Sequence, residues 1–375
     1  MRHSYVYMPI LPARGGAFGA LSRLSSTTSS RLTPLLDIPD PVLHGTSDLE
    51  SHYLKRAKGI SEAWSHGRPL YVDMYNLPPQ LRMASGTHPL RYVFDRLAHL
   101  NVRAIPVTGT EADRDSTYWH TAVSLIRELD TGFCLRLSRE DLNSRTSLRP
   151  AIMKVLETAQ CSPAQCDLLI DFRFMTAKDL PEIKAISLEV LQIVQSIGDF
   201  RNMAIAGGSI PEQMGKKHKG SIRHEMRNEL ALWSDLLSAR PLAYADYGIV
   251  SPTYVPPKGF VKAPARIRYT TETEHIFRRA ARSDYISLCR DLLESPEFKG
   301  RLYSYGDHLI YSCAKGAIRL NQPGQWVLAD TNHHLTLVST QTFDVLKAKK
   351  LDREFEISEP TARPWLQPDL LTEGA

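Results

Sequence analysis

The sequence lacks any long uninterrupted run of apolar residues. No stretch of its 375 residues approaches the roughly 18 to 20 consecutive apolar side chains that a membrane-spanning helix needs. The N-terminus also lacks the apolar core of a signal peptide, because Arg2 is followed closely by Pro9 and Pro12. We therefore expect a soluble, cytoplasmic protein with no membrane partner.

Cysteine is scarce as well. The chain has only five cysteines, an odd number, which argues against a disulfide framework and fits a reducing compartment. Cys161 and Cys166 lie close together, but no second pair of cysteines or histidines stands at zinc-finger spacing from them. The cysteine pattern therefore predicts neither disulfide bonds nor a structural zinc site.

The chain has no strong excess of charge of one sign. Its net charge of +5 permits an anionic ligand but is too small to predict a nucleic-acid partner. A short basic run at residues 216–219 is the best candidate for contact with nucleic acid or a phosphate tail, and a solvated charged face is its simpler interpretation. A composition of 42% hydrophobic and 23% charged residues excludes a disordered chain, a collagen and a pure coiled coil.

What the sequence does contain is a series of eight short, nearly continuous apolar runs. The runs are residues 6–11, 32–37, 69–73, 102–107, 132–137, 167–172, 200–208 and 241–247. Such runs are typical of strands that are buried on both faces, as in a parallel sheet covered by helices. Segments with helical spacing lie between or after them, at residues 48–64, 89–100, 118–129, 148–158, 181–196 and 221–237.

This alternation of strands and helices predicts an α/β fold, a (β/α)8 TIM-like barrel over residues 1–270. The alternative is a doubly wound open sheet, which normally has a glycine-rich phosphate loop after its first strand. Residues 14–17, with the sequence Arg-Gly-Gly-Ala, match that loop poorly. We therefore favour the barrel.

The pattern changes after residue 247. Prolines interrupt it, residues 266–270 are typical of another strand, residues 285–293 of a short helix, and residues 307–311 and 333–338 of short strands mixed with loops. We expect a C-terminal α+β extension at residues 271–357, packed on the barrel. A Pro-rich flexible tail at residues 358–375 is expected to follow it.

Polar residues end most of the apolar runs. In a (β/α)8 barrel the carboxyl ends of the strands meet at one mouth, where catalytic and binding groups collect. The expected catalytic residues are Asp37, Asp73, Asp171 and Asp246. The expected ligand-binding residues are Arg14, Arg136, Arg173, Gly207, Gly208, Ser209 and Arg268.

These residue types favour an anionic ligand. Arginine forks suit phosphate, whereas carboxylates suit a divalent cation or proton transfer. Our first hypothesis is a phosphodiesterase-like enzyme that hydrolyses a phosphate-containing ligand or nucleotide with a divalent cation as its candidate cofactor. In this hypothesis Arg136 and Arg173 hold the anionic group, while Asp171 and Asp246 bind the cation or move a proton.

The same residues also have structural interpretations. Asp37 and Asp73 stand where an Asp often caps the next helix. Arg136 and Asp171 could form an internal ion pair. The Gly-Gly-Ser sequence at residues 207–209 stands where many barrels bind phosphate through backbone amides, or it forms a tight turn with positive φ.

Other catalytic motifs are absent from the sequence. It contains no nucleophile elbow with a Ser-His-Asp order, no HExxH sequence and no Walker loop. The adjacent His333 and His334 would point to opposite faces of a strand. They are more typical of surface or core histidines than of a ligand pair.

A series of short motifs follows the order of a known family. The motifs lie at residues 7–11, 33–39, 171–173, 206–209, 246–248, 267–269, 304–307 and 333–334. With them the sequence resembles, over nearly its whole length, the beta protein family of bacteriophages and bacterial genomes. The family's opening motif carries a Lys where this chain has Pro12 and a Glu where it has Ala17.

The resemblance implies a phage-related setting, either a viral accessory protein or part of antiviral defence, and it implies no settled activity. Loss of the Lys and Glu at Pro12 and Ala17 favours an alternative to the enzyme. In that alternative the chain is a non-catalytic protein that binds a ligand or a partner protein during phage–host conflict.

Overall fold

Eight parallel strands close into a barrel in the computed structural model, which describes residues 4–41, 48–64, 67–212, 221–253, 265–280 and 284–357. The barrel strands are β1 (Tyr7–Pro12), β2 (Leu35–Asp37), β3 (Leu70–Asp73), β4 (Ala104–Thr108), β5 (Phe133–Leu137), β6 (Cys166–Phe174), β7 (Asn202–Gly208) and β9 (Ala243–Asp246). Each of the eight apolar runs overlaps one of these strands. The α/β barrel is therefore confirmed, and the open-sheet alternative is wrong.

Nine helices in the described ranges connect the barrel strands and cover the barrel. They are α1 (Gly15–Leu21), α2 (Ser26–Arg31), α3 (Leu49–Ala63), α4 (Pro89–His99), α5 (Ser116–Glu128), α6 (Arg139–Asn143), α7 (Arg145–Ala159), α8 (Leu180–Gln195) and α9 (Asn228–Leu236). Side-chain caps determine where several of these helices begin. At the start of α5, for example, the carboxylate of Asp115 accepts a hydrogen bond from Thr117 N at 2.9 Å. The short helices α1 and α2 were not predicted.

A small antiparallel sheet lies beside the barrel. It consists of β8 (Ile222–Met226), β10 (Arg266–Thr270) and β11 (Glu274–Arg279), in the order β10-β11-β8. The helix predicted for residues 221–237 is wrong in its first part, because β8 pairs with β11 from Ile222 to Met226 and the helix begins only at Asn228. Residue 270 is the boundary expected between the barrel and the extension, and the small sheet contains strands from both sides of it.

Three helices form the rest of the described C-terminal region: α10 (Tyr285–Leu293), α11 (Tyr305–Ala314) and α12 (Pro323–Ala348). The strands and loops predicted at residues 307–311 and 333–338 are wrong, since these segments lie in α11 and α12. Helix α12 is covered on most of its circumference, and every residue from 329 to 335 is buried. A helix buried all round has no amphipathic period to detect.

Helix α12 joins the C-terminal region to the barrel. Asn332 Nδ2 donates a hydrogen bond to the carbonyl of Ala20 after β1 (3.0 Å), and Ser339 Oγ donates to the carbonyl of Thr28 in α2 (3.3 Å). Leu335 and Val338 belong to the same apolar core as the barrel strands. These contacts pack α12 against the barrel.

Parts of the chain lie outside the described residues. These include the basic run at residues 216–219 and the tail at residues 358–375. None of the helices in the described ranges is both long enough and apolar enough to cross a membrane.

Candidate functional site

Six charged residues meet inside the carboxyl end of the barrel. We call them the Asp–Arg cluster: Asp37, Asp73, Arg114, Arg136, Asp171 and Arg173. Five of them were predicted: Asp37 and Asp73 end β2 and β3, and Arg136, Asp171 and Arg173 lie in the last four residues of β5 and β6. Residues at alternate positions of a barrel strand point into the interior. The cluster therefore brings together most of the charged side chains that the sequence places at the mouth.

Arg136 lies at the centre of the cluster. Its Nη1 donates to Asp73 Oδ2 at 2.8 Å, and its Nε and Nη2 donate to Asp171 Oδ2 at 2.9 and 2.7 Å. Nη2 also lies 2.7 Å from the hydroxyl of Tyr247, which in turn donates to Asp171. Arg136 is 2% exposed, so this guanidinium is fully paired inside the barrel. These contacts include the internal ion pair between Arg136 and Asp171 that the sequence offered as the alternative to a ligand-binding role.

Arg114 belongs to the cluster but was not predicted, because it lies in the loop after β4 and not at a strand end. Its Nη2 donates to Asp73 Oδ2 at 3.1 Å, and its side chain is buried. Burial alone would raise the pKa of Asp73, but the guanidiniums of Arg114 and Arg136 lower that pKa below its ordinary value. A search of the loops at the mouth, besides the strand ends, would have found Arg114.

The ring of Tyr75 lies against three guanidiniums. The guanidinium carbons of Arg114, Arg136 and Arg173 are 4.5, 5.0 and 4.6 Å from its centroid. Such contacts are favourable because the ring face is electronegative. Tyr75 follows Asp73 by two residues and was not predicted as a site residue.

Arg173 holds an uncommon backbone conformation. Its φ is +55°, in the left-handed region, where β6 becomes irregular between Asp171 and Phe174. Its N–H donates to Asp171 Oδ1 at 2.9 Å, and its Nη2 donates to the carbonyl of Pro252 at 2.7 Å. These contacts offset the cost of the conformation, which is about 1–2 kcal/mol for a residue with a Cβ.

Asp37 differs from the other carboxylates of the cluster. Its Oδ1 is buried and has no hydrogen-bond partner, although the residue as a whole is only half-buried. Burial and the nearby Asp73 raise the pKa of Asp37 to about 7, against the opposing charges of Arg136, Arg173 and Arg114. Both protonation states of Asp37 are therefore populated near neutral pH.

The capping roles considered for two of these residues are wrong. The helix after Asp37 is α3, and its N-terminal cap is Asp48. The helix after Asp73 is α4, and its N-terminal cap is His88. The carboxyl groups of Asp37 and Asp73 therefore do not cap these helices and can contact other groups inside the barrel.

Asp246 does not join the cluster. Tyr244, two residues earlier on β9, packs its ring against Trp233 of α9, so this face of β9 points away from the barrel interior. Tyr247, one residue later, points inward to Arg136. Because adjacent strand residues face opposite sides, Asp246 points out of the barrel while Tyr247 points into it. The expectation that Asp171 and Asp246 act on one ligand or cation is therefore wrong.

The outward-facing Asp246 serves a structural contact instead. Its Oδ1 accepts hydrogen bonds from the hydroxyl of Tyr7 (2.7 Å) and from Gly248 N (3.0 Å), and its Oδ2 lies 3.0 Å from His334 Nε2 on α12. Burial opposes ionisation, but His334, Tyr7 and Arg227 hold the pKa of Asp246 well below its usual range. This contact links the barrel to α12.

Gly207, Gly208 and Ser209 serve packing and helix capping. Both glycines lie in β7, outside the left-handed region, so the tight turn with positive φ is wrong. A Cβ on Gly207 would lie 2.2 Å from Met175 Cε. Ser209 Oγ donates to the carboxylate of Glu229 and accepts from Asn228 N at 2.9 Å, at the start of α9. We find no phosphate-binding geometry in these contacts.

A pocket of about 410 Å³ opens at the barrel mouth and is lined by residues outside the Asp–Arg cluster. We call it the rim pocket. Its walls come from the segments after β1, β7 and β9, from β10 and β11, and from the first turn of α12. The charged residues that line it are Arg14, Glu212, Arg266 and Arg268, and the larger apolar ones are Ile210, Ile249, Phe277 and Val327. Arg14 and Arg268 were predicted as ligand-binding residues, whereas Arg266 was not.

The rim pocket has a concentrated positive charge. Burial lowers the pKa of Arg266, and the neighbouring charges of Arg268 and Arg279 lower it further, which shows that these cations repel one another. Pro12 and Ala17 also line the pocket. The two positions at which the resemblance implies a Lys and a Glu in the family therefore lie in the wall of the rim pocket.

The cluster does not resemble a metal site. Within the described ranges, no group of three or more His, Cys, Asp or Glu side chains is arranged to hold a metal ion. Asp73 and Asp171 share the guanidinium of Arg136, so a cation bound there would have to displace it. The residues present therefore do not fit the divalent cation of our first hypothesis.

Comparison with known proteins decides the family. The sequence matches the Beta protein family over residues 7–340. The chain belongs to the Beta protein family. The family resemblance drawn from the short motifs is confirmed, and the (β/α)8 barrel with its small sheet is the fold of this Beta protein family member. No curated protein matches the chain.

Two solved structures have a limited likeness to this member of the Beta protein family. Triosephosphate isomerase from Bartonella henselae is 11% identical with a TM-score of 0.34, over 64% of this chain and 90% of its own. The enoyl reductase domain of MlnA from the macrolactin biosynthesis cluster of Bacillus amyloliquefaciens is 12% identical with a TM-score of 0.34, over 97% of this chain and 85% of its own.

Proposed function

We propose that this chain binds a phosphate-bearing small molecule, such as a nucleotide, in the rim pocket. The observation that carries the proposal is the convergence of Arg14, Arg266 and Arg268 on one cavity at the barrel mouth. Guanidinium groups bind phosphate through paired, charge-assisted hydrogen bonds. Phe277 and Val327 supply an apolar wall for the body of such a ligand.

The Asp–Arg cluster supports this choice of site. Arg136 and Asp171 satisfy each other's charges in the barrel interior, so they stabilise the mouth and leave little capacity for a ligand. The ligand-binding role predicted for Arg136 is therefore better assigned to the arginines of the rim pocket.

Hydrolysis of a phosphate-containing ligand stays a prediction, with Asp37, whose pKa burial and the nearby Asp73 raise to about 7, as its candidate group for proton transfer. The non-catalytic role in phage–host conflict stays a prediction. Its support is that Pro12 and Ala17 provide no charged group to the pocket wall, where the family motif carries Lys and Glu.

Binding measurements test the proposed function. We expect inorganic phosphate and a mononucleotide to raise the melting temperature of the full chain, whereas the matching nucleoside without phosphate does not. Arg266→Met and Arg268→Met should each weaken phosphate binding about tenfold or more, because each removes a charge-assisted hydrogen bond of about 1.5–3 kcal/mol. Arg319→Met, at an exposed arginine outside the pocket, is the matched control. Equal binding of the nucleoside, or unchanged affinity in both pocket variants, would contradict the proposal.

A further inference from the structure

We propose that strand β8 (Ile222–Met226) is a dimerisation surface. In the dimer, two copies of this chain pair their β8 strands antiparallel and so join their three-stranded sheets into one continuous sheet. None of the five residues of β8 lines the rim pocket, so this proposal does not depend on the proposed function.

The small sheet has two edges, and the chain itself covers one of them. Strand β10 forms that edge. The N–H of Arg268 donates to Asp330 Oδ2 at 3.2 Å. The carbonyl oxygen of Thr270 lies 2.8 Å from Nε2 of His333. Asp330 and His333 both belong to α12, so this helix binds backbone groups that β10 turns away from the sheet.

Strand β8 forms the other edge, and only alternate residues of it bond to β11. At one end of the strand, Arg279 N donates to the carbonyl of Ser221 at 3.1 Å. At the other end, Arg227 N donates to the carbonyl of Thr273 at 2.9 Å. Bonded and non-bonded residues alternate along an antiparallel pair, and the register between these two bonds has no shift. The odd-numbered residues of β8 therefore bond to β11, and the even-numbered ones turn their N–H and C=O groups outward.

The outward-facing backbone groups belong to Ile222, His224 and Met226. Ile222 and Met226 are 52% and 54% exposed, and they are two of the four large hydrophobic residues that the described part of the chain exposes. Within the same described ranges, no strand pairs with this edge. Proteins commonly protect an open edge with Pro or Lys, and β8 contains neither. An edge of this kind can be extended by a further strand.

The sequence of β8, Ile-Arg-His-Glu-Met, complements itself in an antiparallel pair. When two copies meet at His224, Ile222 lies opposite Met226 of the second copy, and Arg223 lies opposite its Glu225. The three outward-facing residues of each copy then face one another, so that their N–H and C=O groups bond. Arg223 and Glu225 stand at the closely spaced positions, where side chains interact most. The pair is symmetric about His224, as a two-fold dimer requires.

The two charged residues exclude the neighbouring registers. If the outward-facing residues stay opposite one another, the next register in either direction is a shift of two residues, because the strand period is two. One such shift places Arg223 opposite Arg223 of the second copy, and the other places Glu225 opposite Glu225. Like charges directly opposite each other destabilise a strand pair. Within one chain Arg223 Nε pairs with Glu225, so the four charged groups alternate in sign only in the symmetric register.

Sedimentation equilibrium of the full chain tests the proposal. A pair of five-residue strands makes a small interface, so we expect association that depends on protein concentration in the micromolar range. The average mass should rise from that of one chain toward that of two. No larger species should form, because each copy has one β8 edge and the pairing occupies it.

Charge reversal at the two central positions supplies the decisive variants. Arg223→Glu and Glu225→Arg, each alone, place like charges opposite each other and should weaken association about tenfold or more. An equal mixture of these two variants restores both pairs of opposite charge and should associate as tightly as the wild type. Restored association would also show that both variants are folded. Arg319→Glu, at an exposed position outside β8, is the matched control and should associate like the wild type.

Three results would overturn the proposal. A wild-type chain that stays monomeric at the highest concentration would show that a different partner, or another segment of this chain, covers β8. Association of Arg223→Glu as tight as that of the wild type would place the dimer contact elsewhere. Single variants that are folded by circular dichroism, but that fail to associate when mixed, would rule out this pairing of the strands.

Discussion

Two adjacent polar residues at the end of β9 have different roles because their side chains point to opposite sides of the barrel wall. Asp246 faces outward to Tyr7 and His334, whereas Tyr247 faces inward to Arg136 and Asp171. The two residues are adjacent in sequence, yet one links the barrel to α12 and the other completes the Asp–Arg cluster. The direction of each side chain therefore determines which polar groups lie inside the carboxyl end of the barrel.

The first prediction concerns Arg136. Replacing it by Met leaves Asp73 and Asp171 buried without their shared guanidinium. Breaking a buried ion pair by removing one partner costs on the order of 3–5 kcal/mol. We expect Arg136→Met to lower the free energy of unfolding by that amount, as measured by urea denaturation.

Arg266→Met is the control for this prediction. Arg266 is half-buried and lines the rim pocket, so its loss should reduce phosphate binding with a change in stability below about 1 kcal/mol. If Arg136→Met were as stable as the wild type but unable to bind phosphate, Arg136 would be a ligand-binding residue and not a structural one.

The second prediction uses Asp330 on α12. Its Oδ2 accepts from Arg268 N at 3.2 Å, its Oδ1 is buried without a partner, and burial raises its pKa to about 7. Between pH 4 and pH 7 the folded chain keeps a proton on Asp330 that the unfolded chain has lost. The contribution of this residue to stability therefore falls as the pH rises through that range.

Asp330→Asn removes this titration. We expect the variant and the wild type to unfold at similar urea concentrations at pH 4, and the variant to be more stable by about 4 kcal/mol at pH 8. A stability difference that is the same at both pH values would show that Asp330 ionises normally in the folded chain.

At the scale of elements, α12 depends on close helix contacts. A Cβ added to Gly306 on α11 would lie 2.1 Å from the carbonyl oxygen of Ala329 and 3.0 Å from the backbone nitrogen of His333. Both atoms belong to the backbone of α12 and cannot rotate away. Only a residue without a Cβ allows α11 and α12 to approach this closely.

The third prediction follows from this contact. Gly306→Ala should lower the free energy of unfolding by about 1–3 kcal/mol or more, because the helices must move apart. Gly324→Ala is the matched control, since a Cβ at Gly324 meets no atom within 4 Å, and its stability should be unchanged or raised by up to about 1 kcal/mol. Equal thermal stability of the two variants would refute the close contact.

At the scale of the whole molecule, α12 shares one apolar core with the barrel, whereas α10 and α11 pack with β10 in a second one. Leu335, Val338 and Leu346 of α12 belong to the same apolar cluster as the barrel strands. His334 contacts the buried Asp246, and Asn332 satisfies the carbonyl of Ala20. Removal of α12 would therefore expose apolar surface and leave buried polar groups without partners.

The fourth prediction tests the proposed division at residue 270. We expect residues 1–270 expressed alone to lack a cooperative urea transition, whereas the full chain unfolds in a single one. Circular dichroism and intrinsic fluorescence should coincide for the full chain. A cooperative transition in the fragment would instead show that the barrel folds as an independent domain.

The sequence by itself determined the barrel. Its strands are buried on both faces, so each appears as a short apolar run, and the helices between them keep the periodicity of a one-sided contact. The charged residues that end those runs, such as Asp73, Arg136 and Asp171, were predictable as members of one mouth for the same reason. Arg14 and Arg268 were also found among the candidates.

Only the tertiary structure decided how those residues divide into a paired cluster, a pocket and an outward contact. The rim pocket is built from segments that are far apart in sequence, from Arg14 to Val327, and no local pattern records that they meet. Helix α12 was missed because its middle, residues 329–335, is buried all round, which removes the amphipathic period there. The pKa of Asp37 depends on its burial and on charges from three other strands and the loop after β4, which come together only once the chain is folded.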